Sequence, residues 1–278
     1  MNGEPRDHRS RCRGRLGVTL VVALLAAQAG TSPGSADEAD TLIVGAQADE
    51  LSTGGNGGGG QALWLHPLRS PGKLITSGVS YFTLAGTQWG YGRAGLSSPA
   101  GRRLSLAIDL SAGRGRTGGE PFDYNLYKGQ LSCELYSKRL YGEAGLQYVD
   151  IAGRRGSVAS AGVMLIPSTP IDLNLAYYRA VSANFESEFK SFRASLNRRR
   201  ARLFGGLSLG NVTPEVFNVV GAAGGARSME IYLGAEIPVR EQKLMILGRH
   251  LDLGESGQRS IVLVWKVPLR PRADVEDR

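Results

Sequence analysis

The chain has 278 residues, of which 42% are hydrophobic and 21% are charged, a composition that excludes a disordered chain. Its net charge of +8 is partly local: residues 1–29 hold five arginines and two acidic residues, so the remainder carries about +5. Because that remaining charge is dispersed instead of forming one basic face, the sequence predicts no nucleic-acid partner.

The N-terminus has the three parts of a secretory signal peptide. A basic stretch that includes Arg9 and Arg15 precedes the apolar run Leu16–Ala27, and Ala27–Ala29 matches the small-x-small cleavage rule. The apolar run is too short for a membrane-spanning helix, which needs about 20 residues. We therefore predict a signal peptide over residues 1–29, and export.

Residues 30–60 are rich in Gly, Ser, Asp and Glu. This composition predicts a flexible lead-in and not a domain. The glycine run Gly55–Gly60 lacks the preceding strand and the following Lys-Ser/Thr of a phosphate-binding loop, so it predicts no nucleotide site.

Residues 61–269 show repeated two-residue alternation, which is typical of β-strands with one apolar and one polar face. No window has a convincing 3.6-residue period, which disfavours α/β folds. The clearest predicted strands are Arg103–Ser111, Leu140–Tyr148, Ile171–Tyr177, Arg200–Ser208, Met229–Ile237 and Ser260–Val267. Weaker ones are Leu74–Thr83, Thr87–Leu96, Phe122–Leu135, Ser157–Ile166, Ser187–Leu196 and Lys243–Asp252, for about twelve strands in all. The segment Gln61–Leu68 before them is either a periplasmic pre-strand or a further strand that shifts this count.

The links between these strands alternate in predicted length. Short ones such as Pro167–Pro170 and Asn197–Arg199 are followed by longer ones such as Gly113–Pro121 and Asn211–Ala226. Outer-membrane barrels have short periplasmic turns and longer extracellular loops. We therefore predict that Gly113–Pro121 and Asn211–Ala226 face the cell exterior.

The predicted fold is all-β, an antiparallel up-and-down transmembrane β-barrel of about 12 strands in a Gram-negative outer membrane. The alternative is a soluble periplasmic β-sandwich, which also alternates. Aromatic residues near strand ends favour the barrel, since barrels carry aromatic girdles at both membrane interfaces. The residues assigned to girdles are Trp89, Tyr91, Tyr124, Tyr141, Tyr148, Tyr177 and Trp265.

The stretch Leu74–Leu269 resembles bacterial outer-membrane barrels. Its last strand, Gly257–Leu269, is similar more narrowly to that of YaiO-type surface barrels, which sit near polysaccharide-export systems. The resemblance implies outer-membrane lipid and the barrel-insertion machinery as partners, together with glycan or envelope export proteins. Such barrels usually end on a terminal aromatic residue, whereas this chain continues through a charged tail, residues 270–278.

The sequence predicts no catalytic, cofactor or metal site. After signal removal it retains His66, His250 and Cys133, with no serine motif beside either histidine and no carboxylates at ligand spacing. Cys133 is in phase with Leu131 and Leu135, which indicates a small apolar residue and not a reactive thiol. A lipid-modifying barrel enzyme remains the alternative function.

Polar residues on the inner faces of the strands are the remaining functional candidates. They would either pair and plug the lumen or line a narrow polar conduit, possibilities that the sequence leaves open. The candidate lumen-facing residues are Asp109, Glu134, Glu143, Asp172, Arg193, Arg200, Arg202, Glu230, Glu236 and Lys266. The predicted function is a non-enzymatic envelope barrel, a conduit or an accessory in exopolysaccharide transport.

Overall fold

The computed structural model describes residues 40–136, 139–167, 170–182, 185–198, 200–210, 228–252 and 257–269. The predicted signal peptide and the charged tail lie outside these ranges. Within them, no helix is long and apolar enough to cross a membrane.

The described chain forms one closed antiparallel barrel in which each strand pairs with its neighbours in sequence and β1 pairs with β14. The strands are β1 Thr41–Leu51, β2 Asn56–Pro67, β3 Leu74–Leu84, β4 Thr87–Pro99, β5 Leu104–Thr117, β6 Glu120–Tyr136, β7 Leu140–Ile151, β8 Arg154–Leu165, β9 Ile171–Ser182, β10 Phe185–Arg198, β11 Ala201–Gly210, β12 Ser228–Val239, β13 Gln242–Asp252 and β14 Gly257–Pro268. The predicted fold class is confirmed, and closure excludes the sandwich alternative.

The two ends of the barrel differ. At the terminal end, β1 begins at Thr41 opposite Pro268, where β14 ends. At the opposite end, here called the hairpin end, three connections have two residues each: Ala85-Gly86, Gly118-Gly119 and Ala152-Gly153. All six residues have positive φ, as tight hairpins whose twist matches the flanking strands require.

The strand count is 14 and not about 12, because residues 41–60 are not a flexible lead-in. Thr41–Leu51 and Asn56–Pro67 are both full strands. Gly57 and Gly59 lie on the inner face of β2, where a Cβ at Gly59 would overlap the ring of Phe82 and one at Gly57 would meet Leu84 at 2.5 Å. The glycines are therefore a packing requirement of large side chains on β3 and do not mark a linker.

The predicted alternation of link lengths is largely wrong. Residues assigned to the long link Gly113–Pro121 belong mostly to β5 and β6, which reach the hairpin Gly118-Gly119. Ile151–Gly156 is likewise a hairpin around Ala152-Gly153. The predicted loop Asn211–Ala226 lies outside the described residues. Strands of 14 and 17 residues in β5 and β6 exceed the roughly 9–11 that cross a bilayer, so both extend beyond it.

The outer wall is a broad apolar surface. Leu106, Ile108 and Leu110 of β5 are 43–48% exposed, and the same outer face carries Leu233 at 72% and Ile261 at 62%. Soluble monomers rarely expose contiguous apolar patches of this kind. Lipid chains are the environment in which such a surface is favourable.

Four of the predicted girdle aromatics point into the lumen instead. Trp89, Tyr91, Tyr124 and Tyr141 are only 3–6% exposed. Tyr148, Tyr177 and Trp265 lie on the outer wall, with 38–43% of each side chain exposed. The sequence misassigned the inner four because a position near a strand end does not show which face of the strand carries the ring.

Candidate functional site

The lumen contains a cavity of about 230 Å³ beside β6–β13. It extends from Ile166 and Asp172 at the terminal end to Gln147 and Tyr178 in the middle of the barrel. Its inner side chains include Lys128, Gln130, Glu143, Ser160, Met164, Asn174, Arg193, Ser195, Arg202, Phe204, Tyr232, Glu236 and Met245. The cavity therefore combines charged, amide and hydroxyl groups with a few apolar side chains, as small-molecule sites do.

Carboxylates line one side of this cavity and are held by polar neighbours. Asp172 accepts hydrogen bonds from Ser195 Oγ at 3.0 Å and Asn197 Nδ2 at 2.8 Å, with Arg202 Nη2 3.9 Å away. Asn174 Nδ2 donates to Glu143 Oε2 at 3.3 Å. These bonds fix the rotamers of the carboxylates, so the cavity wall has a defined charge pattern.

Glu236 is the third carboxylate of the cavity and joins it to the rim. Lys266 Nζ donates to its Oε2 at 2.5 Å, and Lys243 Nζ lies 3.9 Å from Oε1. Both lysines lie on strands that follow β12, so the negative charge of Glu236 is neutralised from the β13–β14 side. The other side of Glu236 faces the cavity.

Lys128 on β6 was not among the candidates predicted from sequence. Its ammonium group lines the cavity and has no hydrogen bond or ion pair to any described residue. The acidic residue opposite it in the register, Asp109, is already held by Arg93, whose Nη2 lies 2.8 Å away. A lysine in this position can donate hydrogen bonds to an acceptor group inside the cavity.

An aromatic cluster fills the lumen towards the hairpin end. Ring centroids are 5.6 Å apart for Phe82 and Trp89, 6.3 Å for Phe82 and Tyr91, and 5.2 Å for Tyr91 and Tyr124. These separations are typical of packed aromatic pairs. The wall formed by β3–β6, here called the aromatic wall, presents these packed rings to this part of the lumen.

The facing wall carries a buried polar ridge. It consists of two rungs, each a row of three residues that pair in register across neighbouring strands. One rung crosses β10, β11 and β12, and the other crosses β13, β14 and β1. The rungs are linked by Arg249 Nε, which donates to Glu230 Oε1 at 2.7 Å. The residues of the polar ridge are Ser191, Ser208 and Glu230 in the first rung, and Arg249, Ser260 and Asp49 in the second.

The structure places nine of the ten predicted lumen residues on the inner side. Asp109, Glu143, Asp172, Arg193, Arg202, Glu230, Glu236 and Lys266 point inward along their strands, and Glu134 has the inward phase near the terminal rim. Arg200 is the exception, because it occupies the exposed turn between β10 and β11. The alternation assigned to Arg200–Ser208 begins one residue later, at Ala201.

The sequence missed Lys128, Arg93, Arg249 and Asp49 as lumen residues. Arg93 and Arg249 lie in strands whose alternation is weak, since glycines interrupt β4 and apolar side chains occupy both faces of β13. Asp49 fell in the segment assigned to the lead-in. Lys128 lies on the same inner face of β6 as Tyr124 and Leu126, which are large and apolar. The sequence therefore shows no polar inner face from which to place Lys128 in the lumen, and the only signal was its alternation with the exposed Tyr127.

The remaining candidates show no catalytic arrangement among the described residues. Neither histidine hydrogen-bonds to a serine: His66 Nδ1 pairs with Asp40 Oδ1 at 2.6 Å, and His250 is exposed on the outer wall. Cys133 is half-buried and shares the outer phase of Leu131. Within the described part of the chain, no group of three His, Cys, Asp or Glu residues is placed to hold a metal ion.

No known family profile and no curated protein matches the sequence. Solved structures share its fold. The CymD monoaromatic hydrocarbon channel superposes with a TM-score of 0.60 at 10% identity, over 82% of this chain and 87% of that one. The P. putida toluene transporter TodX gives 0.59 at 9% identity, over 84% and 91%.

A bacterial polysaccharide outer membrane secretin gives a TM-score of 0.54 at 10% identity, over 85% of this chain and all of that one. At these identities the likeness concerns the fold alone, which is that of an outer-membrane β-barrel. No match supports the narrower resemblance to YaiO-type barrels.

Proposed function

We propose that this chain is a non-enzymatic outer-membrane barrel that passes small polar solutes through its lumen. The observation that carries the proposal is the cavity of about 230 Å³ with charged and hydrogen-bonding groups fixed on its wall. An enzyme would bring a nucleophile or base together with a polarising group, whereas these side chains are spread over eight strands.

The outer surface supports placement in the membrane. Apolar side chains cover the outer wall, and Tyr148, Tyr177 and Trp265 lie among them with partial exposure. Beyond this band, at the hairpin end, exposed ion pairs join Arg114 to Asp123 and Arg155 to Asp150. This sequence of apolar band, aromatic residues and charged extension fits a bilayer, and the hairpin end is then extracellular.

The chemistry of the cavity favours polar solutes. Lys128 supplies donors, and Glu143 and Asp172 supply acceptors, so the wall of one cavity suits molecules that carry both kinds of group. Two of the similar structures are named as channels or transporters for hydrocarbons. A hydrocarbon would leave these charged groups desolvated without compensation, so we propose a different solute class here.

The size of the cavity limits the solute. Pockets for drug-sized ligands occupy about 300–1,000 Å³, so a cavity near 230 Å³ suits an amino acid or a single sugar. A role in exopolysaccharide transport would therefore involve monomers or an accessory contact with glycan export proteins, and not a polymer threaded through this lumen.

A second candidate is a plugged barrel with a structural role. The aromatic wall and the buried Arg249–Glu230 pair, whose side chains are 1% and 6% exposed, favour it. In that case the cavity would be a blind pocket reached from the terminal end.

Planar-bilayer conductance of the purified protein tests the proposal. We expect small, resolvable channels in KCl whose ion selectivity changes in Arg202→Gln. Arg200→Gln is the matched control, because Arg200 lies in an exposed turn and Arg202 lines the cavity. Failure of the wild type to conduct would refute the conduit and leave the plugged barrel.

A further inference from the structure

The polar ridge continues the cavity towards the hairpin end. Arg193 lines the cavity, and Ser191 is the next inward residue on β10. Ser191 pairs in register with Ser208, whose hydroxyl donates to Ser191 Oγ at 3.2 Å, and Ser208 pairs with Glu230. Arg249 then bonds Glu230 and pairs with Ser260, which pairs with Asp49. A continuous line of polar side chains therefore leads from the cavity across β10–β14 to β1, on the wall that faces the aromatic cluster.

Donors on this ridge are incompletely used. Arg249 is bonded through Nε only, and its Nη1 and Nη2 atoms are buried with no hydrogen-bond partner among the described residues. Buried polar groups in native proteins are nearly always bonded to protein, water or ligand. A guanidinium in this state is therefore ready to bind an acceptor group.

Acceptors are incompletely used beside it. Gln47 Nε2 and Gln258 Nε2 both donate to Asp49 Oδ1, at 2.6 and 2.9 Å. Asp49 Oδ2, Gln47 Oε1 and Gln258 Oε1 are buried and have no partner among the described residues. Asp49 is 5% exposed and has no ion pair within the described ranges, so this carboxylate can bind a cationic or donor group.

The two sets of atoms belong to residues of the same register row. Arg249 and Asp49 occupy the same rung, with Ser260 between them. Neighbouring strands are about 4.8 Å apart, so two strand spacings separate the two backbones by about 10 Å, and both side chains face the same lumen. A solute with an acceptor at one end and a donor at the other would satisfy both.

We propose that the polar ridge is the solute route past the aromatic wall, with Arg249 and Asp49 as its binding residues. The ligand class is small molecules that carry a hydrogen-bond donor and an acceptor a few bonds apart, as zwitterionic amino acids and small polyols do. This inference rests on the proposed conduit and assigns its path. Solutes cross by exchanging hydrogen bonds with the ridge while the aromatic cluster stays packed.

Cysteine accessibility locates the route. Ser260 on the ridge and Ser111 on β5, beside the aromatic cluster, are both buried serines, at 3% and 7% exposure. In a Cys133→Ser background, we expect methanethiosulfonate ethylammonium to reduce the conductance of Ser260→Cys at least twofold and to leave Ser111→Cys unchanged. Equal block of both variants, or block of Ser111→Cys alone, would overturn the assignment while leaving a conducting barrel.

Liposome swelling identifies the ligand. Glycine and glycerol serve as the zwitterionic and the polyol probes. We expect Asp49→Asn to slow uptake of glycine several-fold if the cationic end of a zwitterion is bound, and to slow both probes equally if hydroxyl groups are bound. No change for either probe, in a variant that conducts like the wild type, would refute Asp49 as a binding residue. A silent wild type would instead refute the conduit itself.

Discussion

Arg249 and Glu230 form an ion pair inside the barrel wall, with Nε 2.7 Å from Oε1 and side chains that are 1% and 6% exposed. Removing one partner of such a pair leaves an uncompensated buried charge and typically costs about 3–5 kcal/mol, whereas replacing both partners with apolar residues is often nearly neutral. The stability of the barrel should therefore depend on the pair as a unit.

We predict that Arg249→Met and Glu230→Met each destabilise the folded barrel by about 3 kcal/mol, and that the double variant recovers most of the loss. Urea titration in detergent, followed by tryptophan fluorescence, measures this. The exposed pair Arg114–Asp123, with side chains 89% and 74% exposed, is the control, and Asp123→Asn should cost less than about 1 kcal/mol. Additive single-variant losses in the double variant would contradict the prediction.

Gly59 and Phe82 form the second stability prediction. A side chain at position 59 would occupy the space of the Phe82 ring, which is fully buried. Gly59→Val should therefore destabilise the barrel by about 1–3 kcal/mol through overpacking, and Phe82→Ala should relieve part of that loss. The unboiled band on a gel and the urea midpoint both report the effect. A Gly59→Val protein as stable as the wild type would show that β2 and β3 are not packed in this way.

The barrel wall explains which strands the sequence could predict. Alternation located twelve of the strands because successive side chains face lipid and lumen in turn, and in β5 the exposed leucines alternate with Asp109 and Ser111. The strand β1 and residues 56–60 of β2 were missed because their small and acidic residues are typical of loops. Gly57 and Gly59 are required by rings on another strand, and single-sequence patterns do not carry such long-range information.

The candidate site was predictable only in part. A charged residue in phase with small polar ones indicates the lumen, which is how Glu143 and Glu236 were found. Around Trp89 and Tyr91 the alternate positions are glutamine and glycine, so no apolar face marks the lipid side, and a ring there fits both a girdle and an apolar lumen. Trp89, Tyr91 and Tyr124 were therefore assigned to girdles, and the aromatic cluster in the lumen was not predicted.

Loosening the aromatic wall should enlarge the passage. Tyr124 is 3% exposed and packs on Tyr91, with ring centroids 5.2 Å apart. We predict that Tyr124→Ala raises single-channel conductance at least twofold, because it opens space beside the polar ridge. Tyr148→Ala is the control, since Tyr148 is 39% exposed on the outer wall. Unchanged conductance in a folded Tyr124→Ala barrel would show that the cluster does not limit flow.

The charge of Lys128 should influence ion selectivity. Lys128→Met keeps an unbranched side chain of nearly the same length and removes a cation from the cavity wall. We predict a shift of the reversal potential towards cation preference in a KCl gradient, because a fixed positive charge attracts anions in a narrow low-dielectric lumen. Lys190→Met, at an exposed position on the outer face, should leave the reversal potential unchanged. An equal shift in both variants would point to surface charge and not to the cavity.

The orientation of the barrel is open to a direct labelling test. Glu120 lies beside the hairpin Gly118-Gly119, and Arg102 lies in the link between β4 and β5 at the terminal end; both are exposed. In a Cys133→Ser background, we predict that a membrane-impermeant maleimide labels Glu120→Cys on intact cells, and that Arg102→Cys reacts only after the outer membrane is permeabilised. Both chain ends of the barrel lie on the side of Arg102, whereas the long strands β5 and β6 meet beyond the apolar band at the hairpin end, as the longer extracellular segments of outer-membrane barrels do. Labelling of Arg102→Cys but not Glu120→Cys on intact cells would reverse the orientation, and the cavity would then open to the exterior.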